Sequence, residues 1–156
     1  MDEKDIQIIT QLRQDARMPL TLMSRKTRIP ISTIFDRLKV NQGGLILRHT
    51  CLLDFAKLGY SVRANIILKV DKDDRETVRD FLVKYHTINS VYRINNGFDF
   101  MVEAVFKEIK EMEDFVAMLE KKFSIKDSKS FFIVEDLKRE QFMSDPNLVF
   151  GEVKSG

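Results

Sequence analysis

The chain has 156 residues, 44% of them hydrophobic and 32% charged, which excludes collagen-like and disordered classes and allows one medium core or two small ones. No apolar run approaches the roughly 18 residues of a membrane span, the opening Met1-Asp2-Glu3-Lys4-Asp5 lacks a signal-peptide core, and the single Cys51 precludes an intrachain disulfide. The net charge of +2 is unevenly spread: Arg17, Arg25, Lys26, Arg28, Arg37, Lys39 and Arg48 face only Asp36 within residues 17–49, whereas residues 61–156 sum to −2. That local excess is either a solvated basic surface or an electrostatic footprint for a phosphate backbone.

In chain order, residues 2–16 suit an amphipathic helix capped by Asp2, with Ile6, Ile9, Leu12 and Ala16 on one face. Pro19 breaks it, and residues 20–27 form a short second helix burying Leu20 and Met23. Pro30 opens a third, in which Ile31, Ile34, Phe35 and Leu38 fall at i, i+3, i+4 and i+7. Phe35, at the edge of that stripe, is expected in the core, against the alternative of a thymine-methyl contact. Gly43-Gly44 stops the helix, and the β-prone run from Leu45 to Phe55 suits a wing hairpin. Three short helices with a tight turn between the last two match a winged helix-turn-helix.

From Ser61 the period changes. Val62, Ala64, Ile66, Leu68 and Val70 alternate, giving a strand over 62–70. A helix follows, capped by Asp73 or Asp74, with Val78, Phe81, Leu82 and Tyr85 on one face. Residues 90–95 make a second strand, Asn96-Gly97 a hairpin turn, and Phe98 to Phe106 a third strand. Helix 108–123 and a strand over 129–137 complete β-α-β-β-α-β, a ferredoxin-like arrangement. The fourth strand is apolar on both sides, with Phe131 and Ile133 on one and Phe132 and Val134 on the other. Ile67, Met101 and Val105 join the outward set. A monomer should not leave such a face in water, so Ile67, Met101, Val105, Phe132 and Val134 are the expected dimer interface. Cover by the wing or the tail is the alternative, and which face of the fourth strand pairs stays open.

Several stretches together resemble the Lrp/AsnC family of feast/famine transcriptional regulators: Asp2-Glu3-Lys4-Asp5-Ile6, Ile29 to Leu38, Gly44-Leu45-Ile46, Leu58-Gly59, and Asn95-Asn96-Gly97-Phe98-Asp99-Phe100. The resemblance covers residues 2–140. It implies an α+β protein: a winged helix-turn-helix DNA-binding domain (1–58), a ferredoxin-like βαββαβ domain of the RAM or ACT type for dimerisation and effector sensing (59–140), and a loose tail (141–156). It further implies double-stranded DNA as partner, a homodimer that can build tetramers or octamers, and cytoplasmic, nucleoid-associated action. The third helix would enter the major groove with Ser32, Thr33, Asp36 and Lys39 outward and Arg37 at the groove edge. Arg25, Lys26, Arg28, Arg48 and His49 would contact phosphates.

An amino-acid effector would lie between C-terminal domains near Asn95, Asn96, Gly97, Phe98 and Asp99. Asp99 would either pair with its amino group or simply hold the hairpin. The chain departs from the family pattern at Pro19 and Pro30, at Arg28 where a turn glycine is usual, at the early Gly43-Gly44, and at Asn95 and Asn96 where threonine and glycine are usual.

No enzyme is expected, and no cofactor or metal. His49 and His86 fall in different domains, Cys51 lacks a partner, and no phosphate-loop motif occurs. Two other readings compete: a sensor module without specific DNA binding, and a haem-pathway decarboxylase of related fold, for which residues 88–106 offer only Arg93.

Overall fold

The computed structural model of the protein describes residues 1–151. It contains two compact units: residues 1–52 with the chain from Leu137 onward, and Leu53–Asp136.

The first unit holds α1 (Glu3–Gln14), α2 (Leu20–Thr27) and α3 (Ile31–Asn41) around Ile8, Met18, Met23, Ile29 and Ile34, with Leu12, Leu20, Leu22 and Leu38 packed against them. A capping box starts α1: the Asp2 carboxylate accepts the Asp5 N–H and the Asp5 carboxylate accepts the Asp2 N–H. The helix stops at Gln14, earlier than expected, because the Asp15 carboxylate accepts the Arg17 N–H and the Asp15 carbonyl accepts that of Met18. Ala16 therefore lies outside the helix and exposed, and the buried face centres on Ile8.

Both α2 and α3 follow a proline with extended backbone, Pro19 and Pro30, and neither has a side-chain cap. The turn between them is fixed by Arg28, which adopts the left-handed conformation at φ 59° and ψ 23°. Ser24 Oγ donates to the Ile29 carbonyl, and Thr27 Oγ1 accepts the Ile29 N–H.

The expected wing hairpin is not there. Gly43, at φ 78°, closes a tight turn in which the Ile46 N–H bonds the Asn41 carbonyl and the Gly43 N–H the Ile46 carbonyl. No strand forms over 47–55 among the described residues. Leu47, Leu52 and Leu53 are exposed, and β-prone residues with no ladder to join remain irregular.

The expected tail also differs. Arg13 donates Nε to the Phe142 carbonyl (2.9 Å) and Nη2 to the Glu140 carbonyl (2.9 Å). Buried Ser144 bonds Gln141 through its hydroxyl, and α6 (Pro146–Gly151) ends the described chain. The last five residues of that tail lie outside the described residues.

The second unit runs β1 (Val62–Val70), α4 (Arg75–Lys84), β2 (Ile88–Arg93), β3 (Phe100–Phe106), α5 (Ile109–Lys122) and β4 (Ile125–Phe132). The sheet is antiparallel in the order β2-β3-β1-β4, as the β-α-β-β-α-β pattern requires. Ala64, Ile66, Leu68, Val70, Phe100, Val102, Ala104 and Phe106 turn to one face, where Val78 and Leu82 of α4 and Met112, Phe115 and Leu119 of α5 complete the core.

The fourth strand lies earlier than expected, over 125–132 rather than 129–137. Pairing with β1 from Val70↔Ile125 to Ala64↔Phe132 sets its limits. An edge strand tolerates the polar residues Lys126 to Ser130 that hide it from a hydrophobicity scan.

Candidate nucleic-acid interface and effector hairpin

The face of α3 away from the core carries Ser32, Phe35, Asp36 and Lys39, all exposed and spaced i, i+3, i+4, i+7. That spacing places them in one stripe. Thr33 is half-buried beside it, and Ile34 is fully buried on the opposite side. Phe35 is 58% exposed, so its expected place in the core is wrong. The core of a small three-helix unit needs a narrow stripe, and Ile34 with Leu38 supplies it.

Arg37 does not stand free at the groove edge. Its Nη1 lies 2.6 Å from Asp2 Oδ1 and 2.9 Å from Asp5 Oδ1. The Arg37 hydrogen bond lowers the Asp2 carboxyl from its ordinary 3.8 to about 2. The Asp2 N–H, with help from Arg37, lowers Asp5. The sequence shows the capping pair and the arginine but not that they meet; the signal available was the excess of acids over bases in Asp2-Glu3-Lys4-Asp5 at the start of α1.

The other basic candidates are open. Arg25 and Lys26 occupy the last turn of α2, and exposed Arg28 follows in the turn to α3. Arg48 and His49 lie exposed in the irregular stretch after Gly44. Among the described residues, Arg25, Lys26, Arg28, Lys39 and Arg48 meet no carboxylate, which leaves their charge available for phosphate oxygens.

At the hairpin between β2 and β3, Asn96 (φ 64°) and Gly97 (φ 86°) take the two positive φ values of a tight hairpin turn. Asn95, Asn96 and Gly97 are exposed and Phe98 is half-buried, with Lys129 Nζ 5.5 Å from its ring centroid. Asp99 is buried. Its Oδ2 accepts the Val70 N–H at 2.8 Å, and its Oδ1 lies 2.7 Å from Arg75 Nε. Its backbone N–H bonds the Leu68 carbonyl and its carbonyl accepts the Ile94 N–H. Of the two roles open to Asp99, the geometry favours holding the hairpin.

The open face of the sheet follows from register, since directly opposed residues project to the same side. One row across the sheet reads Tyr92, Met101, Ile67 and Lys129, and the next Ser90, Glu103, Asn65 and Phe131. Val105 opposes Arg63 on the same side. Ile67, Met101 and Val105 are thus on the open face, and Tyr92 and Phe131 join them. Phe132 is not: it opposes Ala64 and projects to the helix side. Val134 lies beyond the strand, 94% exposed. The expected β4 placed Phe132 and Val134 in the outward set; the observed register turns Phe132 to the helix side, and Val134 falls outside the paired strand.

Among the described residues, no group of three or more His, Cys, Asp or Glu is arranged to hold a metal, and no helix is long and apolar enough to cross a membrane.

Among the described residues, the first unit carries an exposed α3 stripe next to the basic end of α2, and the second an antiparallel sheet with helices on one face only. Residues 63–142 match the Lrp/AsnC ligand binding domain. The chain is 33% identical over 120 residues to the HTH-type transcriptional regulator FL11 of Pyrococcus horikoshii, covering 76% of this chain and 80% of that protein. It is 28% identical to the transcriptional regulator AzlB of Bacillus subtilis, covering 74% and 76%.

Two solved structures share the fold. A transcriptional regulator of Neisseria meningitidis in complex with L-Met matches with a TM-score of 0.82 at 22% identity, covering 89% of this chain and 93% of that one. LrpC of Bacillus subtilis matches at 0.81 and 22%, covering 88% and 97%. The chain belongs to the Lrp/AsnC family of transcriptional regulators. Its relatives are regulators rather than enzymes, so the decarboxylase reading falls away.

Proposed function

We propose that the protein is a sequence-specific regulator that binds double-stranded DNA through α2 and α3 used as a helix-turn-helix, and that it acts on the nucleoid in the cytoplasm. The observation that carries this is the exposed α3 stripe of Ser32, Phe35, Asp36 and Lys39, bordered in sequence by Arg25, Lys26 and Arg28. Hydroxyls, an amine and a carboxylate on one helix face suit base edges in a major groove, and open cations suit phosphates. Thr33 at the side of the stripe, with Arg48 and His49 beyond the helix, would extend the contact. The sensor-only reading leaves this concentration of unpaired basic groups unexplained.

The working unit is a homodimer formed through the open sheet face, where Met101, Ile67, Tyr92, Val105 and Phe131 would leave water; tetramers or octamers would be built from such dimers. An amino acid bound between C-terminal domains would modulate it, held by backbone and side-chain amides of Asn95, Asn96, Gly97 and Phe98 rather than by the Asp99 carboxylate. The relative solved with L-Met supports that ligand class.

Titration of duplex DNA at several salt concentrations tests the DNA-binding claim. A steep fall of log affinity with log salt is expected, because each phosphate contact releases counterions. Salt-insensitive binding, or none, would overturn it.

A further inference from the structure

On the proposed reading surface the one large apolar side chain at the centre of the stripe is Phe35. It is flanked by Ser32 and Asp36 and lies one turn before Lys39. More than half of its surface is exposed, and it takes part in no ring or cation contact among the described residues. Phe35 stands outside the packed cluster of its unit: Ile34 is the buried residue of α3, and Leu38, Arg37 and Asn41 pack or bond on the inner side.

From this, and resting on the DNA-reading function above, we infer that Phe35 is a specificity-determining residue that contacts the 5-methyl group of a thymine in the major groove. The thymine methyl is the one apolar feature a base pair displays there, and phenylalanine is among the side chains suited to it. The neighbours fit the same occupant. Ser32 can hydrogen-bond an adjacent base edge, and Lys39 supplies a cation for guanine or phosphate one turn along. An apolar protein partner would instead meet Asp36 and Lys39 as charges without matches, inside a stretch of seven basic residues and one acid. DNA matches Lys39 and the basic residues around it at its phosphates, offers the Asp36 carboxylate a cytosine amino donor in the groove, and still presents an apolar spot for the ring. The contact excludes water from the methyl and the ring edge, so its contribution is insensitive to salt, unlike that of Lys39.

The test uses the full chain and an operator enriched by it from a random DNA pool. Each thymine is replaced singly by deoxyuridine, which removes the methyl and keeps the O4 acceptor. The inference predicts at least one thymine per half-site at which the replacement weakens binding about fourfold, the scale of one buried methyl group. Phe35→Ala should bind the all-thymine operator more weakly and lose sensitivity to that same replacement, with its salt slope unchanged; Phe35→Leu should retain most of the sensitivity.

An operator without a methyl-sensitive thymine, or equal sensitivity in wild type and Phe35→Ala, would overturn the role of Phe35 while leaving DNA reading intact. Failure to enrich any sequence would instead overturn the DNA-reading function, and this inference with it.

Discussion

Arg37 of α3 holds Asp2, the residue that caps α1, with its Nη1 2.6 Å from Asp2 Oδ1. The same nitrogen lies 2.9 Å from Asp5 Oδ1, so one guanidinium closes the capping box of one helix from the side of another. This contact makes Arg37 a support for α3 rather than a member of its exposed stripe. Arg37→Ala should lower the melting midpoint by a few degrees and leave the salt slope of DNA binding nearly unchanged. Lys39→Ala should do the reverse, keeping the midpoint and reducing the slope by about 1. Thermal melts and salt titrations of both variants check the pair.

The same contact gives a pH dependence. A carboxyl depressed from 3.8 to about 2 stabilises the folded unit above 3.8, and that contribution is lost as pH falls through about 2. Asp5, lowered by the Asp2 N–H and by Arg37, acts in the same direction. The melting midpoint should therefore fall between about pH 4 and pH 2, and Arg37→Ala should show a shallower fall. Parallel profiles in wild type and variant would assign the acid sensitivity elsewhere.

Arg28 occupies a left-handed backbone position at φ 59°, where a residue with a Cβ is strained by roughly 1–2 kcal/mol. Arg28→Gly should raise stability by about 1 kcal/mol in denaturant melts. The same change removes a cation from the proposed phosphate contacts, so DNA affinity should drop. A variant that gains stability and keeps full affinity would remove Arg28 from the interface.

Asp99 receives a buried backbone N–H from Val70 and pairs with Arg75. Asp99→Ala should leave that N–H unsatisfied and cost about 2–3 kcal/mol of stability, with or without amino acids present. A stable variant that had lost only its amino-acid response would return Asp99 to the ligand.

Met101 sits at the middle of the open sheet face, between Tyr92 and Ile67 in the same row. Met101→Asp should shift sedimentation equilibrium toward monomer by placing a charge in an apolar interface. An unchanged mass would put the oligomer contact on another surface.

Most of the fold was legible because both periods were strong. The alternation in Val62–Val70 and Phe100–Phe106, and the Asn96-Gly97 turn, fix a β-α-β-β-α-β domain without three-dimensional information. Misread elements share a cause, which is that their state depends on a partner distant in sequence. Lys126 to Ser130 are strand only because β1 lies beside them, and the register β1 imposes turns Phe132 to the helix side and leaves Val134 beyond the strand. The β-prone Leu45 to Phe55 formed no strand over 47–55, and so no wing. Phe35 matched the helical period of the core, but Ile34 and Leu38 are the α3 residues in the packed cluster. Arg37 looked like a groove residue because its acids stand over thirty positions earlier. In the candidate site, the exposure of Ser32, Asp36 and Lys39 was legible since it follows from helical spacing, whereas the contacts of Asp99 with Val70 and Arg75 were not.

Selection of bound duplexes from a random pool, at fixed salt and with or without added amino acids, tests the central claim that α3 reads DNA for a symmetric dimer. Recovery of a pseudo-palindrome with half-sites about one helical turn apart (roughly 34–36 Å) or a multiple of it is predicted, with a shift in enrichment when an effector amino acid is present. Recovery of no sequence, or of a single unrepeated half-site unaffected by every amino acid, would contradict it.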